Sequence, residues 1–180
     1  MDNKILAEID SIANNILADY GKGRTIDKTD VFNQPNKDVI IDILNKLIRI
    51  VYPGYFKDKN YNIYNVKNNL SVIIEDVVYN LNKQIAITLK SNDDYAHFDA
   101  VEIEEEARTL TLKFLKTIPK VREYVETDVE AGYEGDPAAT SRDEVIFCYP
   151  GLYAITVNRL AHELYLLNVP LIPRIMTEHA

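Results

Sequence analysis

The sequence has 180 residues, of which 47% are hydrophobic and 27% charged, and its formal net charge is −8. These values are typical of a globular domain with its own core, while the negative charge argues against nucleic-acid binding, which requires clustered Lys and Arg. No apolar run approaches the roughly 20 residues that span a bilayer, and the first residues do not resemble a signal peptide. We therefore expect a cytoplasmic protein that binds neither nucleic acid nor membrane.

The single cysteine, Cys148, excludes an internal disulfide and agrees with a reducing compartment. It lies within the apolar run 145–149. A thiol in such a run behaves as a small hydrophobic group, so we expect Cys148 to be buried and unreactive.

Hydrophobic residues spaced three and four apart predict helices along the whole chain. The first helix, residues 1–20, carries an apolar stripe of Ile5, Ile9, Ile12, Ile16 and Leu17. This stripe could pack within its own domain or serve as an oligomerisation arm on another subunit. Further helices are predicted over residues 37–51, 70–89, 97–118 and 120–131, with Gly132 and Gly135 loosening the chain after the last of them.

Four carboxylates, Glu102, Glu104, Glu105 and Glu106, lie near the start of the fourth predicted helix. No histidine accompanies them at the spacing of a helical metal site, so the sequence favours a solvated face and predicts no metal. Carboxylates in the first turns also stabilise the positive end of the helix dipole.

The segment from Glu126 to Tyr165 carries the most position-specific residues of the chain. Asp136 followed by Pro137 is typical of a helix start, and we expect a short helical turn over residues 136–140. Ser141 and Glu144 form a second start signal, a capping box, and predict a long helix over residues 142–167. Pro150 should interrupt that helix near Cys148. The sequence thus predicts one all-α domain over residues 1–180, with about six helices.

Three motifs carry a resemblance to a known family. They are DVEAGYEGDPAATS, YPGLYAITVNRLAHELY and PLIPRIMTEHA. This stretch resembles the end of the helical N-terminal domain of bacterial serine O-acetyltransferases, where a D-I/V-x-A-x(4)-D-P-A segment leads to Y-x-G-x-x-A-x-x-x-x-R-x-x-H. The resemblance covers residues 120–180; upstream it is only one of helical character.

The resemblance implies transfer of an acetyl group from acetyl-CoA to the hydroxyl of L-serine, which gives O-acetylserine for cysteine biosynthesis. It also implies that the catalytic His and its Asp partners lie on a left-handed β-helix of hexapeptide repeats, which is absent from this chain. The chain alone is therefore expected to be inactive and to bind no cofactor, with acetyl-CoA as co-substrate of the full enzyme. A trimer or hexamer, and O-acetylserine sulfhydrylase bound through a C-terminal tail absent here, are the implied partners.

The resemblance assigns one substrate residue. Asp136 matches the family position that binds serine, or cysteine as inhibitor, while Asp128, Pro137, Arg159 and His162 are interpreted as structural parts of the motif. Arg159 and His162 are three residues apart and so share a helix face. The alternative interpretation is a non-enzymatic module for homo-oligomerisation or regulation.

Overall fold

The computed structural model describes residues 3–27, 33–56 and 65–180. In these ranges the chain forms helices and no strands, which confirms the all-α prediction. The α-helices are α1 (Asn3–Tyr20), α2 (Lys37–Val51), α3 (Val66–Lys90), α4 (Ala100–Leu115), α5 (Ile118–Gly135), α6 (Arg142–Cys148), α7 (Pro150–Leu166) and α8 (Ile172–Thr177). None of the helices described here is both long and apolar enough to cross a membrane.

The chain divides into two compact units, Met1–Gln34 and Pro35–Ala180. The first unit contains α1, and its predicted stripe of Ile5, Ile9, Ile12, Ile16 and Leu17 consists of exposed side chains. Asp19 lies near the end of this helix and accepts hydrogen bonds from Lys22 at 2.6 Å and from Arg24 at 2.8 Å. Such exposed ion pairs contribute little to stability because water screens them.

The second unit begins with α2, and its first turn explains why the helix starts there. The side-chain oxygen of Asn36 accepts the N–H groups of Asp38 and Val39 at 2.9 and 3.2 Å. These groups have no partner inside the helix, so Asn36 acts as an N-cap. The N–H of Asn36 donates to Oε1 of Gln84 at 2.7 Å, so the same residue also joins the start of α2 to α3.

A complete capping box starts α4. The carboxylate of Asp99 accepts the N–H of Glu102 at 2.9 Å, and the carboxylate of Glu102 accepts the N–H of Asp99 at 2.8 Å. This reciprocal arrangement fixes the first turn. The sequence predicted a helix start at His97, but the helix begins at Ala100. Glu102 is therefore a capping residue and not only part of a solvated face.

The core of the second unit is formed by α2, α3, α4, α5, α7 and α8, with Val145 as the contribution of α6. Its largest fully buried side chains include Leu44, Leu47, Leu81, Ile85, Phe114, Leu160, Leu164 and Ile172. One polar link crosses it: the hydroxyls of Tyr52 and Thr156 are 2.7 Å apart. Because Thr156 donates its single proton to the carbonyl of Leu152 at 2.8 Å, Tyr52 must be the donor of that link.

Helix α5 continues through Gly132 and Gly135, where the sequence predicted a loosened chain. The reason at Gly132 is close packing. A Cβ atom there would lie 2.9 Å from Cγ1 of Val145, whose side chain is fully buried in α6. Gly132 therefore permits α5 and α6 to approach each other.

The long helix predicted over residues 142–167 is interrupted as expected. Helix α6 ends at Cys148 and α7 begins at Pro150, with Tyr149 between them in extended conformation, at φ −91° and ψ 106°. A residue that precedes proline is disfavoured in the helical region. The prediction that Cys148 is buried is wrong: it is exposed, because the short α6 buries only Val145.

An ion pair joins α5 to α7. Arg159 donates through Nη2 to Oδ1 of Asp128 at 2.6 Å and through Nε to Oδ2. The two side chains are 31% and 15% exposed, and the guanidinium lies over the ring of Tyr124. Arg142 and Glu130 form the same two-bond geometry, but these side chains are 52% and 40% exposed. The Asp128 pair is thus the better shielded of the two.

We expect Gly132→Ala to destabilise the protein. Alanine is the better helix former by about 1 kcal/mol, but its Cβ would press against a stiff, buried Val145, and overpacking of this kind costs about 1–3 kcal/mol. Gly135→Ala is the control, because nothing lies within 4 Å of a Cβ there. Urea denaturation should give a lower midpoint for Gly132→Ala only; equal midpoints for the two variants would contradict this packing.

We expect Asp128→Asn to lower the free energy of unfolding by about 2 kcal/mol, because hydrogen bonds to charged groups contribute about 1.5–3 kcal/mol when shielded. Glu130→Gln removes a carboxylate with the same geometry from an exposed pair and should lower the free energy of unfolding less, because water screens exposed ion pairs. The measurement is urea denaturation of both variants. A larger loss for Glu130→Gln would show that exposure does not govern the strength of these pairs.

Candidate functional site

Asp136 lies immediately after α5, at the start of a β-turn. Its carbonyl accepts the N–H of Ala139 at 3.0 Å, and its Oδ1 accepts the N–H of Ala138 at 2.9 Å. The structure therefore differs from the predicted helical turn over residues 136–140. Asp and Pro are favoured at the first two positions of a type I turn as well as at a helix start, so the residue types alone do not distinguish the two.

The second oxygen of Asp136 is bound by a residue that the sequence reasoning missed. The hydroxyl of Tyr149 donates to Oδ2 of Asp136 at 2.5 Å. A signal for this residue was present in the sequence, since a tyrosine directly before a proline is set apart from a helix. Its partner, 13 residues earlier, could not be identified without the structure.

These two hydrogen bonds stabilise the carboxylate of Asp136. The bond from Tyr149, followed by that from the N–H of Ala138, holds the pKa of Asp136 below its ordinary value. The same bond raises the pKa of Tyr149 to about 12. The phenol keeps its proton at neutral pH, and the stabilisation from this bond is lost as pH rises through the pKa of Tyr149 and also as pH falls through the lowered pKa of Asp136.

The donors that bind Asp136 are both uncharged. An ionised carboxylate attracts a cation most strongly when none is already paired with it. Each carboxylate oxygen has two lone pairs, and the hydrogen bonds described use one lone pair on each oxygen. The carboxylate of Asp136 therefore has the charge and the free lone pairs that an ammonium group requires of a partner.

The turn is held against α6 by a second carboxylate. Glu144 accepts the N–H and the hydroxyl of Thr140 at 2.8 and 2.5 Å, while its own N–H donates to Oγ of Ser141 at 3.1 Å. The predicted N-cap at Ser141 is confirmed. The carboxylate of Glu144 is bound mainly by Thr140, and its pKa is lowered by these two bonds and, to a smaller extent, by the N–H of Ser141, the reciprocal donor of the predicted capping box.

The other predicted motif residues lie in two places. Asp128 and Arg159 are brought together by the ion pair between α5 and α7. Pro137 occupies the second position of the Asp136 turn. His162 is exposed on α7 and stacks on Tyr165, with ring centroids 6.1 Å apart.

His162 lines a cleft of about 610 Å³ beside α7 and α8, together with Asn158, Tyr165 and Arg174. Arg159, three residues earlier, is directed to Asp128 instead. Asp136 is not among the residues that line this cleft. Within the described ranges, no three His, Cys, Asp or Glu side chains are grouped so that they could hold a metal ion.

This chain is similar in sequence to serine acetyltransferases, one of which matches most of its length. It is 33% identical over 147 residues to a plasmid-encoded serine acetyltransferase of Synechococcus elongatus, a match that spans 80% of this chain and 46% of that protein. A serine acetyltransferase of Synechocystis is 50% identical over 48 residues, 27% of this chain and 19% of that protein. The chain thus spans less than half the length of the relatives it matches. No protein-family model matches it.

A solved structure shares the fold. Serine acetyltransferase 1 of Entamoeba histolytica, in complex with L-cysteine, superposes with a TM-score of 0.58 at 26% identity, over 75% of this chain and 44% of that one. The comparisons confirm the resemblance seen in the motifs. The chain is a homologue of the serine acetyltransferases over most of its own length, and its helical fold is consistent with the N-terminal domain of that family.

Proposed function

We propose that this chain is the helical part of a serine O-acetyltransferase and that Asp136 binds the ammonium group of L-serine. The product would be O-acetylserine, a precursor in cysteine biosynthesis. The observation that carries the proposal is the state of Asp136: an ionised carboxylate, fixed by two uncharged donors. A positively charged amine is the ligand that such a group favours.

The role of Asp136 would be to position the substrate rather than to react. In acetyl transfer, the serine hydroxyl attacks the thioester carbonyl of acetyl-CoA, its proton passes to a general base, and the C–S bond breaks to release the thiol of CoA. We assign the base to a His outside this chain, on the hexapeptide-repeat domain implied by the family motifs, with donors there for the oxyanion. Binding at the amine would hold the hydroxyl in place for that attack.

The same site would accept cysteine. L-cysteine has the same ammonium and carboxylate groups as L-serine, with a thiol in place of the hydroxyl, so a contact to the ammonium cannot distinguish them. The Entamoeba histolytica relative was solved in complex with L-cysteine. Inhibition of this protein by cysteine, in competition with serine, follows from a site built on Asp136.

An alternative function is favoured by α1. Its exposed stripe, which includes Ile9, Ile12 and Leu17, is a surface that could bind a second copy of the chain. A homo-oligomeric or regulatory module without enzymatic activity would use this stripe and leave Asp136 without a ligand. In the enzyme, the same stripe would support a trimer or hexamer in the cytoplasm, with O-acetylserine sulfhydrylase as a further partner.

We expect Asp136→Asn, made in the full-length product of the gene, to raise the KM for L-serine by at least about tenfold, because the variant removes the charge-assisted contact to the amine. The KM for acetyl-CoA should stay within about twofold of the original value, because the variant removes only the contact to the amine. Steady-state kinetics with each substrate varied in turn provides the measurement.

Glu134→Gln is the matched control, since it neutralises an exposed carboxylate two residues away in the same helix end. It should leave both KM values unchanged. If Asp136→Asn leaves the serine KM unchanged too, or if Glu134→Gln has an equal effect through net charge, the proposed site is refuted.

The 180-residue chain by itself should consume no acetyl-CoA in the presence of L-serine, because the general base is assigned to another domain. Release of CoA thiol, followed with a thiol-reactive dye, tests this expectation. Turnover by the chain alone would place the catalytic base within it and overturn the assignment.

A further inference from the structure

We infer that Tyr149 is a positioning residue for Asp136: its hydroxyl holds the carboxylate in the orientation that receives the ammonium group of the substrate. This inference rests on the proposed function of Asp136. It assigns to Tyr149 a role that the family motifs do not attach to it.

The geometry around the carboxylate supports this role. The N–H of Ala138 binds Oδ1 at 2.9 Å and the hydroxyl of Tyr149 binds Oδ2 at 2.5 Å. The first donor belongs to the same turn as Asp136, so by itself it leaves the far oxygen free to rotate. The second donor comes from the junction of α6 and α7. It therefore fixes the carboxylate relative to the start of α7.

The backbone of Tyr149 is fixed from both sides. Its N–H donates to the carbonyl of Val145 in α6 at 3.2 Å, and its carbonyl accepts the N–H of Leu152 in α7 at 3.1 Å. Pro150 keeps the residue out of the helical conformation. Tyr149 is thus the last capping residue of one helix and the first of the next. Its phenol extends from an anchored point, as a positioning group requires.

The phenol is also suited to this role chemically. Its raised pKa keeps the proton on the oxygen at neutral pH. The phenol therefore donates a hydrogen bond, and it is not an anion that would compete with Asp136 for the ammonium group. It brings no positive charge that would neutralise Asp136. A lysine or arginine at the same place would also hold the carboxylate, but it would form an ion pair with Asp136 and neutralise the charge that attracts the substrate amine.

The test is Tyr149→Phe in the full-length protein, with steady-state kinetics for both substrates. This change removes one oxygen and keeps the ring, so packing is retained. We expect the KM for L-serine to rise about 5- to 10-fold, less than the roughly 10- to 150-fold for loss of a shielded hydrogen bond to a charged group, because Asp136 and Tyr149 are partly exposed to water. We expect kcat at saturating serine and the KM for acetyl-CoA to change less than about twofold.

Tyr153→Phe is the matched control. Tyr153 lies on α7, four residues after Tyr149, and is half-buried, but its hydroxyl is not one of the groups that bind Asp136. The variant Tyr153→Phe should leave the serine KM unchanged.

The thermal unfolding midpoints of Tyr149→Phe and Tyr153→Phe separate a loss of positioning from a loss of fold. Only a loss of positioning leaves the midpoint and the acetyl-CoA KM unchanged.

A double variant separates this inference from the proposed function. In the Asp136→Asn background, Tyr149→Phe should change the serine KM by less than about twofold, because the group to be positioned is already altered. If Asp136→Asn raises the serine KM and Tyr149→Phe does not, Tyr149 has no positioning role while the proposed site stands. A lower serine KM for Tyr149→Phe would mean that the hydroxyl only competes with the amine, which also overturns the inference. If Asp136→Asn itself has no effect on the serine KM, the proposed function of Asp136 and the positioning role of Tyr149 are both refuted.

Discussion

The arrangement of the candidate site depends on the interruption of the helix at Pro150. Proline lacks the N–H that a continuous helix would need at this position, and it forces Tyr149 into an extended conformation. Without that break, residue 149 would be an ordinary helical position and its phenol would follow the helix surface. With it, the phenol extends back to Asp136, so the turn after α5 is hydrogen-bonded to the junction of α6 and α7.

Two carboxylates eight residues apart illustrate how partners determine what a side chain can do. Asp128 is neutralised by Arg159 in a shielded pair that joins α5 to α7. Asp136 is bound only by uncharged donors among the described residues. The first carboxylate has its charge satisfied within the protein and acts in the architecture. The second keeps its charge available, which is the physical basis for treating it as a ligand-binding group.

Much of the fold could be predicted because it is encoded locally. Hydrophobic spacing gives the bounds of residues 37–51 correctly, and Pro150 marks the helix interruption. The failures concern contacts between segments distant in sequence. Gly132 suggested a flexible link, but it is a close approach to Val145. Cys148 suggested burial, but a helix as short as α6 buries a single position. Asp136 and Tyr149 both stand in the family motifs, but the hydrogen bond between them became evident only from their three-dimensional positions.

The hydrogen bonds of the second unit also differ in how much chain they enclose. The bond between Tyr149 and Asp136 closes 13 residues, that between Arg159 and Asp128 closes 31, and that between Tyr52 and Thr156 closes 104. Since the entropic cost of loop closure grows with the logarithm of loop length, the smallest loop costs about 2 kcal/mol less than the largest. The candidate site thus belongs to a segment closed by short-range contacts, and its geometry depends less on the long-range docking of α2 than does the core beneath it.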